Sequence, residues 1–154
     1  YRVHPPLRKP EDIDALIQGI FDKTVDCIAT DHAPHTKKDK MAGCPGMSSI
    51  EIAFSICYTF LVKTKKISLK KLSELMSFTP AKILGINKGS IKNGIKADLV
   101  LIDTSFNYSI NPSDFLSKGK NTPFSGKKIS GKVLKVIKDG IVRFDNGKFN
   151  ERKG

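Results

Sequence analysis

The first half of the chain shows hydrophobic residues at the spacing of amphipathic helices. Pro10, followed by the acidic Glu11 and Asp12, is typical of a helix start. Apolar side chains then recur at helical spacing and predict a helix from about residue 11 to residue 22. The pattern predicts three further helices, at residues 49–63, at residues 68–76 with Ser68 as the cap, and from Thr79 to Gly85.

A different pattern follows the first helix. Residues 25–30 (VDCIAT) form a short apolar run with β-branched side chains, which indicates a buried strand. The run ends directly in Asp31, and a polar, glycine-containing loop extends from Thr36 to Gly46. In parallel α/β folds, ligands and metals bind at the carboxyl-terminal edge of the strands. Asp31 is therefore a candidate functional residue.

The second half has the pattern of an antiparallel β structure. Short apolar runs predict strands at residues 96–103, 132–138 and 141–145. Asp139-Gly140 separates the last two runs and is a turn dipeptide that predicts a hairpin. The chain is therefore predicted to divide into an α/β portion, residues 1–85, and an all-β portion, residues 86–154.

Composition narrows the class of protein. The chain has 154 residues, of which 39% are hydrophobic and 27% charged, the balance of a folded protein. No apolar run approaches the roughly 18 residues of a membrane helix, and the N-terminus lacks the apolar core of a signal peptide. The first residue is Tyr1 rather than Met, as expected of a processed or partial chain.

Three cysteines without a CxxC pair favour a reducing, cytoplasmic location over a disulfide framework or zinc finger.

The chain is also strongly basic. It carries 27 Lys and Arg residues against 15 Asp and Glu residues, a net charge of +12. Such a charge is typical of proteins that bind nucleic acid or an anionic surface. The basic residues are scattered along the chain, tryptophan is absent, and no aromatic residues interleave with the lysines. This distribution favours a solvated, lysine-rich surface over a nucleic-acid interface.

The candidate chemistry is concentrated near the N-terminus. All three histidines, His4, His32 and His35, lie in the first 35 residues, and two of them follow Asp31 closely. A carboxylate at a strand end can coordinate a divalent metal or transfer a proton. It can equally cap a helix or form a turn. One carboxylate and two imidazoles on a single loop are too few to hold a catalytic metal, so these residues alone leave both interpretations open.

Longer strings of residues decide between these two interpretations. The string of highest specificity is Thr30 to His35 (TDHAPH). The others are His4 to Arg8 (HPPLR), Pro45-Gly46 with Glu51, Thr79 to Gly85 (TPAKILG), Gly94 to Val100 (GIKADLV), Asn121 to Phe124 (NTPF) with Gly126, and Gly131 to Val133 (GKV). In this order, over nearly the whole chain, these strings resemble the C-terminal part of class I dihydroorotases, in the amidohydrolase superfamily.

The resemblance implies a fold and an activity. The fold class is expected to be α/β: the last part of a (β/α)8 metal-dependent hydrolase barrel, followed by part of a small β-sandwich domain. The expected activity is the zinc-dependent, reversible hydrolysis of the cyclic amide of L-dihydroorotate to N-carbamoyl-L-aspartate, in pyrimidine biosynthesis. One or two zinc ions (Zn2+) are expected, and most of their ligands in the family lie upstream of Tyr1. This chain alone is therefore expected to be an inactive C-terminal fragment.

The resemblance also implies roles for individual residues. Asp31 is expected to bind zinc and to act as the general acid and base. His35 is expected to hold the carboxylate of the substrate, and His4 to contact the substrate. The backbone at Pro45 and Gly46 matches the loop that closes on the substrate.

Two positions depart from the family pattern. His4 stands where the family usually has Asn, and Ser49 stands where a glycine is usual. Both departures leave the substrate open, with an allantoinase or a hydantoinase-type cyclic amidohydrolase as the alternative. His32 matches a motif position that is not a ligand, and a structural role is expected for it.

The sequence also leaves open which other protein chains this chain binds. A natural truncated product could take its missing zinc ligands from another chain. A non-catalytic scaffold could keep the fold and bind a partner such as aspartate carbamoyltransferase, with which class I dihydroorotases sometimes associate. A homodimer is compatible with the sequence, and a membrane or nucleic-acid partner is not expected.

Overall fold

The computed structural model describes residues 2–150, with the α-helices in the first half, and the strands and a short 3-10 helix (Pro112–Asp114) in the second. The helices are α1 (Pro10–Phe21), α2 (Lys37–Met41), α3 (Ala53–Cys57), α4 (Leu69–Ser73) and α5 (Thr79–Ile83). The start of α1 is as predicted: Pro10 is in the first turn, and the Lys9 N–H donates to Asp12 Oδ2 at 3.1 Å. Within residues 2–150, no helix has the length and apolar character needed to cross a membrane.

Two of the predicted helices continue through π-helical turns. A π-helical turn at Tyr58–Val62 extends α3, and another at Glu74–Phe78 joins α4 to α5. Ser68 caps α4 as predicted, because its hydroxyl accepts the Lys71 N–H at 3.1 Å. The helical segment that begins at Leu69 therefore runs without interruption to Ile83, where the sequence predicted two separate helices.

The predicted helix at residues 49–63 starts later than expected, at Ala53. The residues ahead of it form a turn, in which the Ile52 N–H donates to the Ser49 carbonyl at 3.1 Å. The N–H groups of Ser49 and Ile50 donate to the ring of His32, at 3.1 and 3.2 Å. A contact with a residue distant in sequence therefore shapes the start of this helix.

The predicted strand at residues 25–30 is not a strand within the described chain. A strand requires a hydrogen-bonded ladder with a neighbouring strand, and the one sheet of residues 2–150 lies in the second half. The Ile28 N–H donates instead to the Leu75 carbonyl at 3.0 Å. The strand prediction is therefore wrong here, although Val25 and Ile28 pack against the helical core as apolar residues of this run should.

The second half forms a four-stranded antiparallel sheet in the order β1-β2-β3-β4. The strands are β1 (Leu99–Ser109), β2 (Lys128–Lys138), β3 (Ile141–Asp145) and β4 (Lys148–Phe149). Asp139-Gly140 turns the chain between β2 and β3 as predicted, with φ values of 52° and 82°. Positive φ at both central residues matches the twist of an antiparallel hairpin. This sheet corresponds to the expected part of a β-sandwich.

The first strand extends further than its apolar pattern predicts, because β2 continues to pair with it past an irregularity. The register shifts between Asp103 and Asn107, and pairing resumes at Asn107 opposite Ser130. Within the irregularity, Asp103 Oδ1 accepts the Ser105 N–H at 2.8 Å. A bulge of this kind breaks the alternation of apolar and polar residues while the sheet continues.

Two clusters of buried side chains form the core. The first lies among the helices and consists of Ile20, Ile67, Leu72 and Leu75. The second contains Ile52, ahead of α3, together with Ile110, Phe115 and Ile129 from the second half. The two halves therefore share a core cluster. The division into domains after residue 85 stays a prediction.

Buried and partly buried hydrogen bonds reinforce this junction. Ser55 Oγ donates to the Gly131 carbonyl at 2.5 Å and accepts the hydroxyl of Tyr108 at 2.9 Å. The Ser130 N–H donates to Thr59 Oγ1 at 2.8 Å. Because these partners come from α3 with its π-helical extension and from the sheet, they fix how the sheet lies on the helices.

Candidate functional site

Asp31 lies on the surface at the start of the loop that leads to α2. Its side chain is exposed, and its backbone has a φ of 43°. Among non-glycine residues, Asp and Asn adopt this left-handed conformation most readily. Asp31 does not cap the following helix, because the N-cap of α2 is Thr36. An exposed carboxylate that is not used as a cap is suited to binding a ligand from outside.

His32 has a structural role, as expected from its motif position. Residue 32 pairs with Met47 in a single parallel bridge, and the Ala33 N–H donates to the Met47 carbonyl at 3.0 Å. Its Nδ1 accepts the backbone N–H groups of Ser49 and Ile50. Both hydrogen bonds reach the same ring nitrogen, so they hold the imidazole against the turn that precedes α3.

The structure gives a reason for Ser49, which stands where glycine was expected. The side chain is 8% exposed, and its hydroxyl donates to the Thr30 carbonyl at 2.8 Å. A glycine could not make this bond. Ser49 therefore anchors the residue that precedes Asp31, a function that the sequence pattern did not indicate.

His35 lies in close contact with two glycines. A Cβ at Gly46 would lie 3.0 Å from His35 Cδ2 and 2.6 Å from the Ala33 carbonyl oxygen, and the φ of Gly46 is 136°. A Cβ at Gly119 would lie 2.7 Å from both the main-chain nitrogen and oxygen of His35. Only glycine allows these close approaches. The loop containing Gly46 and the segment containing Gly119 therefore enclose His35 from two sides.

The loop around Pro45 and Gly46 is held by Lys40 and Asn121. Lys40 Nζ donates to the carbonyls of Arg2, Cys44 and Gly46, at 2.8, 2.8 and 2.9 Å. Asn121 Nδ2 donates to the same Gly46 carbonyl at 2.8 Å. Sequence reasoning missed Lys40 altogether, because nothing in the sequence indicates that these carbonyls meet.

His4 lies on the N-terminal segment, which packs against this loop. The Arg2 carbonyl accepts the Gly46 N–H at 3.0 Å. His4 itself is exposed, and the His4–Pro5 peptide is cis. The structure therefore brings the segment carrying His4 and the loop carrying Gly46 together.

The short helix α2 is fixed by a capping box. The Thr36 hydroxyl accepts the Asp39 N–H at 3.2 Å and donates to Asp39 Oδ2 at 2.6 Å. The Thr36 N–H also donates to Asp39 Oδ2, at 3.0 Å. These bonds, first that of the Thr36 side chain and then that of its backbone, hold the pKa of the Asp39 carboxyl below its ordinary value. Asp39 is therefore ionised and stabilises the start of α2.

The fit of the site to a metal depends on Asp31. As an exposed carboxylate at the mouth of the loop, it fits one ligand position of a divalent cation. Residues 2–150 contain no group of three or more His, Cys, Asp or Glu side chains that could hold a metal ion together. The described residues can thus supply one ligand but not a complete set.

Comparisons with known proteins identify the family. The chain matches the model of the amidohydrolase family over residues 6–142. It belongs to the amidohydrolase family. It is 50% identical over 144 residues to a dihydroorotase of Clostridium botulinum (strain Eklund 17B / Type B), covering 94% of this chain and 36% of that protein. It is 48% identical over 155 residues to a dihydroorotase of Thermoanaerobacter sp. (strain X514), covering 98% of this chain and 36% of that protein.

Solved structures of a dihydropyrimidinase and a D-hydantoinase share the fold. A dihydropyrimidinase from Brevibacillus agri NCHU1002 is similar with a TM-score of 0.92 and 28% identity, over 97% of this chain and 34% of that chain. A D-hydantoinase from Thermus sp. is similar with a TM-score of 0.92 and 26% identity, over 99% of this chain and 35% of that chain. The expected fold class and the resemblance to dihydroorotases are thus confirmed. The chain spans about a third of the length of these proteins.

Proposed function

We propose that the intact polypeptide carrying these residues is a dihydroorotase. It would catalyse the reversible hydrolysis of the cyclic amide of L-dihydroorotate to N-carbamoyl-L-aspartate, in pyrimidine biosynthesis in the cytoplasm. The observation that carries the proposal is the 50% identity to a dihydroorotase over 94% of this chain, because it extends far beyond a single motif. Residues 1–85 would belong to the C-terminal part of a (β/α)8 barrel and residues 86–154 to a β-sandwich, with further parts of the barrel upstream.

Asp31 would be a zinc ligand and the group that moves the proton. When bound, one or two zinc ions would polarise the amide carbonyl and lower the pKa of water. The Asp31 carboxylate would take the proton of the attacking water and return it to the ring nitrogen as the C–N bond breaks. The same oxygen would transfer the proton in the opposite direction during cyclisation, so Asp31 ends each cycle ionised.

The neighbouring residues would bind and orient the substrate. His35 would donate a hydrogen bond to the substrate carboxylate, and His4 would donate to the substrate from the N-terminal segment. Pro45 has no N–H, and the Gly46 N–H donates to the Arg2 carbonyl at 3.0 Å. These two residues would therefore act by letting the backbone approach the substrate closely rather than by donating hydrogen bonds.

The substitution Asp31→Asn tests the proposal in the intact protein. It keeps the size of the side chain but removes the proton acceptor, so turnover of dihydroorotate should fall about 100- to 10,000-fold. Asp26→Asn is the matched control, because Asp26 is an exposed carboxylate on the same segment. Both reaction directions and the zinc content should be measured. Near-normal turnover in Asp31→Asn, or equal losses in both variants, would contradict the role of Asp31.

A hydantoinase-type or allantoinase activity is the alternative. It is favoured by His4 and by the similarity to a dihydropyrimidinase and a D-hydantoinase. Turnover of dihydroorotate should be compared with that of hydantoins, dihydrouracil and allantoin by the same preparation. A preference for dihydroorotate supports the first proposal, and a preference for any of the other rings supports the alternative.

The intact protein would bind its small-molecule substrate. A second copy of the chain and an aspartate carbamoyltransferase are the protein partners to test. Light scattering of the intact protein, alone and mixed with the carbamoyltransferase, measures both associations. A protein without zinc and without turnover that still binds the carbamoyltransferase would instead be a scaffold.

A further inference from the structure

We propose that Lys40 is a positioning residue, which holds the segment carrying His4 and the loop of Pro45 and Gly46 in the arrangement that binds substrate. Its role in substrate binding rests on the proposed function. Its role in holding the two segments rests on the structure alone, so the two can be tested separately.

The ammonium group of Lys40 has all its donors in use. An ammonium has three N–H donors and no acceptor. Those of Lys40 reach the carbonyls of Arg2, Cys44 and Gly46 at distances between 2.8 and 2.9 Å. The side chain is partly buried, and carbonyl oxygens replace the water that it loses there. Lys40 is therefore a structural cation inside the loop rather than a solvated surface lysine.

These bonds link two segments that are distant in sequence. The Arg2 carbonyl accepts both Lys40 Nζ and the Gly46 N–H, at 2.8 and 3.0 Å. The Gly46 carbonyl accepts both Lys40 Nζ and Asn121 Nδ2, at 2.9 and 2.8 Å. Each carbonyl thus has two donors, one of which is Lys40. His4 lies two residues after Arg2, so Lys40 and the direct bond between Gly46 and Arg2 together hold the segment of His4 against Gly46.

Lys40 is itself held in place by α2. Its N–H donates to the Thr36 carbonyl at 3.0 Å, and Thr36 forms the capping box with Asp39. The short helix therefore presents the ammonium group from a fixed base. The hydrogen bonds radiate from one nitrogen, a geometry that a planar guanidinium cannot reproduce. Lysine therefore suits this position better than arginine.

The test compares Lys40→Met with Lys38→Met in the intact protein. Lys40→Met keeps most of the length of the side chain but removes the donors, and Lys38 is an exposed lysine of the same helix. In Lys40→Met, we expect faster amide hydrogen exchange at Gly46. We also expect a KM for dihydroorotate raised about 10- to 100-fold, with kcat changed about threefold or less, since misplaced binding groups weaken binding more than chemistry. Lys40→Arg should recover only part of the loss, and Lys38→Met should match the wild type.

Each outcome decides one part of the proposal. Unchanged exchange at Gly46 in Lys40→Met would overturn the positioning role, whatever the substrate. Faster exchange with an unchanged KM would overturn the link to substrate binding. Wild-type protein that does not turn over dihydroorotate would contradict the proposed function, while the exchange measurement would still decide whether Lys40 holds the loop. If Lys40→Met does not fold, Lys40→Arg keeps the charge but not the geometry and is measured in the same way. Unchanged exchange at Gly46 in that variant would overturn the positioning role.

Discussion

The antiparallel sheet and the loop that carries Asp31 are stabilised by different kinds of hydrogen bond. In the sheet, β2 pairs with β1 and β3 along main-chain ladders. The loop, residues 31–49, has one parallel bridge, between His32 and Met47. Most of its other links join a side chain to the main chain, as at Lys40 and Ser49. The sheet spreads its stability over many similar bonds, whereas the loop depends on a few particular side chains.

This difference determines which substitutions each region tolerates. A side chain on the surface of the sheet can change without removing a ladder hydrogen bond, because the ladder belongs to the backbone. A side chain such as Ser49 or Lys40 is itself the hydrogen-bonding partner. The loop that carries the candidate site should therefore be the more sensitive region, except where the sheet packs on the helices.

The largest expected loss of stability is at the place where the sheet packs on the helices. Ile129 is on β2, is 1% exposed and packs with Ile52 of the helical half. Ile129→Ala should lower the free energy of unfolding by about 2–5 kcal/mol, because it leaves a cavity in the shared cluster. Ile91→Ala is the matched control: Ile91 is 86% exposed, and its loss should change stability by about 0.5 kcal/mol or less. Urea unfolding of the intact protein measures both, and equal effects would contradict the shared core.

The second prediction compares the replacement of a glycine by alanine in the loop with the same replacement in the hairpin of the sheet. Gly46→Ala should lower the free energy of unfolding by about 2–4 kcal/mol, because a Cβ would collide with Ala33 and φ is positive. Gly140→Ala also has a positive φ, but nothing lies within 4 Å of the added Cβ, so the loss should be about 1 kcal/mol. Thermal unfolding of the two variants checks the order. A larger loss for Gly140→Ala would contradict the view that the loop is the more tightly determined region.

The smallest expected effect concerns an exposed ion-pair cluster that ties the chain ahead of β1 to the hairpin. Lys88 Nζ lies 2.6 Å from both Asp98 Oδ2 and Asp139 Oδ1. The Asp139 N–H, and after it Lys88, lowers the pKa of Asp98 from its ordinary 3.8. Lys88 also lowers the pKa of Asp139. Hydrogen bonds to Asp139 and then Asp98 raise the pKa of Lys88 above 10.5.

These pKa shifts make the stability of the protein depend on pH. The stabilisation from the two carboxyls is present above pH 3.8 and is lost as the pH falls through their lowered pKa values. The contribution of Lys88 is present below pH 10.5 and is lost as the pH rises through its raised pKa. Lys88→Met should therefore flatten the loss of stability between about pH 5 and pH 2. The exposed Lys92→Met is the control, and identical pH profiles for the two variants would contradict the prediction.

Local patterns predicted the elements whose causes are local. The start of α1 at Pro10, the Ser68 cap of α4 and the turn at Asp139-Gly140 depend on residues within a few positions of each other, and the structure has them where the sequence predicted them. The motif that contains Asp31 and His35 also has a local signature, and the candidate site that it indicates stays a prediction. The roles of these two residues in binding and catalysis stay predictions.

The sequence-based predictions fail where a residue distant in the sequence determines the local structure. Residues 25–30 have the composition of a buried strand, but a strand needs a neighbour, and the described chain provides none beside them. The helix expected from residue 49 starts at Ala53, after a turn whose N–H groups donate to His32. The contacts of Lys40 reach from Arg2 to Gly46. None of these relations leaves a periodic signal in the sequence.

The sequence by itself determined the family, the helical and β-rich halves, the hairpin and the segment that carries the candidate site. Periodicity, capping residues and turn dipeptides act over a few residues, and motif strings can be recognised without a fold. Only the tertiary structure decided that Ile52 and Ile129 share a core, that Ser49 anchors Thr30, and that one ammonium group joins Arg2 to Gly46. Those contacts depend on how distant segments pack, because a buried hydrogen-bonding group takes whichever partner the fold brings within reach.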